Sequence, residues 1–135
     1  MNAADKALGI DLATKIAGTV TLFKSMFPAA RADLRPWAAD ADTRSLVDPD
    51  SIDLSFSFPG VNRRIPSRCL LVQIRLFEGQ AIGVEMAGFG FDGKQWTYST
   101  IQEGRFAGDR LPPPEFGAAI AQFCRDVLAL FRTGC

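Results

Sequence analysis

Two changes of hydrophobic period along the chain predict an α+β fold. Apolar residues recur at helical spacing near both ends, and between them they alternate with polar residues over several short runs. The expected architecture is a two-layer sandwich: an N-terminal helix, a four-stranded antiparallel β-meander and a C-terminal helix, with both helices on one sheet face. A chain of 135 residues matches one domain spanning 1–135, large enough to bury about two-thirds of the surface its unfolded form exposes.

From Asp5 to Phe27, Leu8, Leu12, Ile16, Val20, Phe23 and Phe27 step by four or three and make one stripe. Asn2 is placed to cap this helix with Asp5 three residues on, and Pro28 stops it by restricting Phe27. Residues 28–51 carry no clear period; short helical turns around Pro36 and Trp37 are expected, then an Asp-rich loop.

The period then becomes two. Ile52, Leu54, Phe56 and Phe58 alternate with Asp53, Ser55 and Ser57, the pattern of a strand with one buried face. Leu70, Val72, Ile74 and Leu76 define a second strand, Ile82, Val84 and Met86 a third, and WTYSTI a fourth. Paired strands must point like residues to the same face, so parity tests the connection. A three-residue loop of Glu78, Gly79 and Gln80 pairs Leu76 with Ile82, Ile74 with Val84 and Val72 with Met86. A two-residue turn would set these apolar residues against Gly83 and Glu85. On the reverse face this register puts Gln73 opposite Glu85, with Arg75 diagonal to it.

After Pro112, Pro113 and Pro114, the residues Phe116, Ile120, Phe123, Val127, Leu130 and Phe131 form the apolar face of the last helix. Proline is tolerated in a first turn, where its missing N–H would lack a partner anyway. Cys124 flanks the stripe and reads as a structural thiol.

The stretch GFGFDGKQW has the spacing G-x-G-x-x-G at Gly88, Gly90 and Gly93. A phosphate loop needs such glycines where a strand enters a helix, so that free N–H groups and the helix dipole meet the anion. Here the β-branched and aromatic run KQWTYSTI follows, so the motif reads as a hairpin tip with Asp92-Gly93 as the turn pair, Phe91 opposite Lys94 and Phe89 opposite Trp96. If the strand runs straight from Glu85, then Phe89, Phe91, Trp96 and Tyr98 join Gln73, Arg75 and Glu85 on the reverse face. A bulge at Gly88 or Gly90 would turn the aromatics inward.

Composition excludes much chemistry. Histidine is absent, which removes Ser-His-Asp and Cys-His nucleophile systems, His-ligated metals and imidazole proton shuttles. Cys69, Cys124 and Cys135 are odd in number and widely spaced, fitting reduced thiols more than a disulfide framework or metal site. Fifteen basic and fifteen acidic residues cancel, so nucleic acid is not the expected partner in spite of Arg63, Arg64 and Arg68. The first residues lack the layout of a secretion signal and no run suits a bilayer, which points to the cytoplasm.

No cofactor motif and no metal-ligand pattern is present. The expected function is therefore a non-enzymatic protein-binding or assembly module, chaperone-like in architecture alone. It would act on a protein partner or a second copy through Gln73, Arg75, Glu85, Phe89, Trp96 and Tyr98. The alternative is a small-molecule or divalent-cation domain with carboxylate chemistry at Asp40 and Asp42, or at Asp48, Asp50 and Asp53.

Overall fold

A computed structural model describes residues 1–37, 48–59 and 67–132. It has the α+β architecture expected, with six antiparallel strands in place of four. Helix α1 (Ala3–Lys6) and helix α2 (Ile10–Met26) precede β1 (Arg31–Asp33), β2 (Ser51–Ser57), β3 (Cys69–Phe77), β4 (Gln80–Gly90), β5 (Gly93–Ser99) and β6 (Arg105–Ala107), and α3 (Pro114–Arg132) follows. Strand order in the sheet is the order in the chain. The two added strands are three residues each, too short to show a period; β1 precedes Pro36 and Trp37, where the expected helical turns do not form.

Both long helices lie on one face. Even-numbered residues of β2, β3 and β4 (Ile52, Leu54, Phe56, Leu70, Val72, Ile74, Val84 and Met86) are buried beneath Ile16, Phe23, Ile120, Phe123 and Val127. The Phe23 ring stacks on Phe56 at 4.0 Å between centroids, and Phe123 meets Phe23 edge-on at 5.2 Å. Phe27 and Phe58 both contact Phe116, so the end of α2 and the start of α3 share one end of the sheet. At the other end the Lys15 ammonium donates to the Phe131 carbonyl at 3.4 Å, a cation at the free carbonyls of a helix terminus.

The first helix departs from its expected course. The chain breaks at Leu8 and Gly9, leaving Leu8 89% exposed and off the buried stripe. The cause is the edge of β2: the Asp53 N–H donates to the Met1 carbonyl and the Ala4 N–H to the Leu34 carbonyl, holding α1 against the strand before α2 crosses the sheet. Asn2 caps nothing with its side chain. Its amide instead clamps Trp37, accepting from the Trp37 N–H and donating to its carbonyl, both at 3.0 Å.

Both hairpins reach their register by bulges. In β3–β4 the turn has two residues, Glu78 and Gly79, each at positive φ (52° and 78°), as a tight hairpin with right-handed strand twist requires. An irregularity beside Ile82 then restores the parity. Ile74 faces Val84, Val72 faces Met86 and Gln73 faces Glu85 as expected, but Leu76 pairs with Ala81 and Ile82 is left 46% exposed.

In β4–β5 the central turn residues are Phe91 and Asp92, between Gly90 and Gly93, not the Asp92-Gly93 pair. Gly88 faces Trp96 while Phe89 faces Lys94, so Gln95 is the extra residue of a bulge at Gly88. The glycine is required there: a Cβ would collide with the Trp96 ring. No helix follows the motif, and its first glycine is a seat for an indole.

Cys124 is fully buried in α3, and burial pushes its thiol up to about 12. Burial likewise raises Tyr98, with a smaller contribution from Cys124. Groups that hold their protons more tightly when folded give stability that is complete below the unfolded pKa and is lost as pH rises through the folded one. Unfolding free energies from urea titrations are therefore expected to fall steadily above about pH 9, by up to ~1.4 kcal/mol per pH unit for each such group. Cys124→Ala should flatten that decline; an unchanged slope would remove Cys124 as a source.

Candidate functional site

The face opposite the helices is built mainly from odd-numbered residues, with even-numbered Lys94 joining them past the bulge. They form rows across the sheet that are read from the strand register, and Ser51, Arg75 and Gly83 form a short row at one side. Asp53, Gln73, Glu85, Ser99 and Arg105 form one outer row. Asp33, Ser55, Leu71, Ala87, Thr97 and Ala107 form the central row. Arg31, Ser57, Cys69, Phe89 and Lys94 form the other outer row. The central row is flat because, Leu71 and Asp33 aside, its side chains are very small.

The first row carries an ordered polar network. Arg75 Nε donates to Glu85 Oε1 and its Nη1 to Asp48 Oδ2, both at 2.6 Å, while Nη2 reaches Gln73 Oε1 at 3.4 Å. Half-burial alone would lower the guanidinium pKa, but the hydrogen bond and charge of Glu85, with Asp48 and Asp53, hold it above its ordinary value. The fork geometry explains why arginine and not lysine stands here.

Gln73 joins this cluster to Asp53, whose Oδ1 accepts from Gln73 Nε2 at 3.3 Å and from the Ser51 hydroxyl at 2.7 Å. Asp53 Oδ2 accepts from Trp37 Nε1 at 2.6 Å and from the Met1 ammonium at 3.1 Å. Asp53 is fully buried, and such a carboxylate is tolerable only with this number of donors.

Beside the network a groove of 310 Å³ is lined by Asp33, Trp37, Ser55, Cys69, Leu71 and Phe89. The Cys69 thiol there is raised chiefly by burial, partly offset by its hydrogen bond with Ser55 and reinforced by Asp33. A thiol held neutral is a poor nucleophile.

Four of the six residues expected on this face are on it: Gln73, Arg75, Glu85 and Phe89. Trp96 and Tyr98 are not. The bulge at Gly88 turns both inward, where they are 1% and 4% exposed and pack on Phe106, with Trp96 also meeting Phe116. The Trp96 N–H is satisfied by Ser67 Oγ at 3.0 Å, and Ser67 in turn donates to Gln95 Oε1 at 2.7 Å. Phe91 is 82% exposed at the hairpin tip, under the Arg68 guanidinium.

Asp48 and Asp53, expected with Asp50 as candidate acid–base or cation-holding carboxylates, instead accept hydrogen bonds from Arg75 and from Trp37, Ser51 and Gln73 respectively, and Trp37 is the member of the site that was not expected. The alternation of Asp53 with Ile52 and Leu54 is the signal that puts its carboxylate on the reverse face. Asp40, Asp42, Arg63, Arg64 and Cys135 lie outside the described residues. Among the described residues no three acidic or thiol side chains converge on a possible cation position, and no helix is long and apolar enough to cross a membrane.

These features define an α+β protein with an antiparallel meander, helices on one face and a polar, flat-centred surface on the other. The chain belongs to a family described as a domain of unknown function, whose model matches residues 4–133. No curated protein and no solved structure matches it.

Proposed function

We propose that the chain is a protein-binding or assembly module whose docking surface is the reverse sheet face. One observation carries the reading: a flat strip of small side chains lies beside the fixed Arg75, Glu85, Asp48 and Gln73 network, on the face the two long helices leave uncovered. Side chains already held by hydrogen bonds lose little further freedom when a partner docks. Arginine and phenylalanine are also residue types suited to anchoring an interface, and Arg75 and Phe89 flank the strip on opposite sides.

The competing small-molecule reading rests on the groove over Leu71 and Phe89, whose size is near the lower end for ligand pockets. Carboxylate catalysis finds less support, because both oxygens of Asp53 already accept two hydrogen bonds each.

A photo-crosslinking residue at position 71, compared with one at exposed Ala118 on α3, tests the proposal in extracts of the source cell. A protein adduct formed from position 71 and not from position 118 is the expected outcome. Adducts that form equally from both positions, or from neither, would remove the reverse face as a docking surface.

A further inference from the structure

Two aromatic residues of the reverse face stand apart from the others. Phe23, Phe56, Phe116, Phe123, Trp96 and Tyr98 pack ring on ring in the core. Trp37 and Phe89 touch no other ring among the described residues and instead line the 310 Å³ groove, with Leu71 and Pro36 completing its apolar walls. Trp37 is fixed in place, because its N–H, its carbonyl and its indole nitrogen are all hydrogen-bonded. A wall ordered before binding spares a ligand the cost of ordering it.

The groove's one charged side chain is Asp33. Its Oδ1 accepts from the Arg35 N–H at 2.8 Å, and among the described residues the carboxylate has no ion-pair partner. Arg35 is taken by Asp5, and Arg31 stands in the next row, opposite Ser57 and outside the groove. The negative field reaches the groove's floor: Asp33 adds to the rise of the Cys69 thiol, and no cation of the described residues opposes it, although Arg31 and Lys94 share the Cys69 row. The Ser55 hydroxyl is engaged with Cys69, so Asp33 is the polar side chain left for a ligand.

We propose that this groove binds a small organic cation, an ammonium group carried on a short apolar or aromatic body. The ammonium pairs with Asp33, and the body lies over Leu71 between Trp37 and Phe89, whose ring faces attract positive charge. An anion would meet Asp33 with like charge, and a neutral ligand would cover an unpaired carboxylate without satisfying it. A volume near the lower end for ligand pockets limits the ligand to metabolite size. The site goes beyond the docking reading, since it requires no protein partner.

The test is a titration of the isotope-labelled full chain with phenethylamine to roughly 10 mM, a decade above a millimolar Kd. The readout is the pair of indole N–H signals, Trp37 and Trp96, in a nitrogen–proton correlation spectrum. Phenethyl alcohol and hydrocinnamate supply the same ring with a neutral and an anionic end. With the amine the Trp37 signal should shift and saturate, while Trp96, buried in the core, stays fixed. The alcohol should bind on the order of 10-fold more weakly, and the carboxylate more weakly still. Asp33→Asn keeps a side-chain oxygen for the Arg35 N–H and should bring the amine down to the alcohol's affinity; Phe89→Ala should weaken both. An unmoved Trp37 signal, an amine bound no tighter than the alcohol, or an amine indifferent to Asp33→Asn each overturns the inference. None of these results bears on the docking surface, which the crosslink at position 71 tests separately.

Discussion

Trp96→Ala is expected to destabilise the protein by about 3–5 kcal/mol, the range for removing a large aromatic side chain from a core. The indole is 1% exposed, seated over Gly88 and bordered by Phe106 and Phe116. Its deletion leaves a void between β5 and α3 and takes from Ser67 the N–H that its hydroxyl accepts. Total stabilities of ordinary domains are about 5–15 kcal/mol, so the loss would be a large share. Urea unfolding provides the check: the midpoint should fall with little change in slope. A shift within about 0.5 kcal/mol, as for an exposed position, would contradict the inward placement and return the ring to the reverse face.

The second large effect is expected at Asp53. Asp53→Ala removes the acceptor for Trp37 Nε1, the Ser51 hydroxyl and Gln73 Nε2 together. Each buried donor left without a partner costs about 1–3 kcal/mol, and a loss of at least ~3 kcal/mol is expected in total. Gln73 also touches Arg75, so the loosening should reach the Arg75–Glu85–Asp48 network. Trp37 supplies a direct readout: its emission should move to longer wavelength as its N–H loses the carboxylate, and Trp96, on the other side of the sheet, serves as internal reference. A stable variant with unshifted emission would show that the network is ornamental to the fold.

The parts of this structure legible in the sequence were those with a repeating period. The apolar faces of α2 and α3 and the inward residues of β2, β3 and β4 are set by burial, which repeats every three to four or every two residues. The pairing of Gln73 with Glu85 and the approach of Arg75 followed from parity alone. What parity could not locate were the compensating irregularities. The extra residues Ile82 and Gln95 reverse the phase without leaving a pattern, and the second decided whether Trp96 and Tyr98 joined the surface or the core. Likewise Leu8 fits the helical stripe, but pairing of Met1 with Asp53 bends the chain away before the stripe begins. The Asp53 cluster was hidden for another reason: its partners Met1, Trp37, Ser51 and Gln73 are scattered in sequence, and only the tertiary fold collects them.

The outermost strands have a consequence for solubility. An open sheet presents rows of unpaired backbone groups at its margins, and long apolar margins invite strand-by-strand growth into fibrils. Here β1 and β6 are only three residues long, fully exposed apart from Phe106, and carry Arg31, Asp33 and Arg105. The longer strands inside them are shielded past those short pieces by Met1 at Asp53 and by the Arg110 N–H at the Gln95 carbonyl. Lateral polymerisation is thus obstructed on both sides of the sheet.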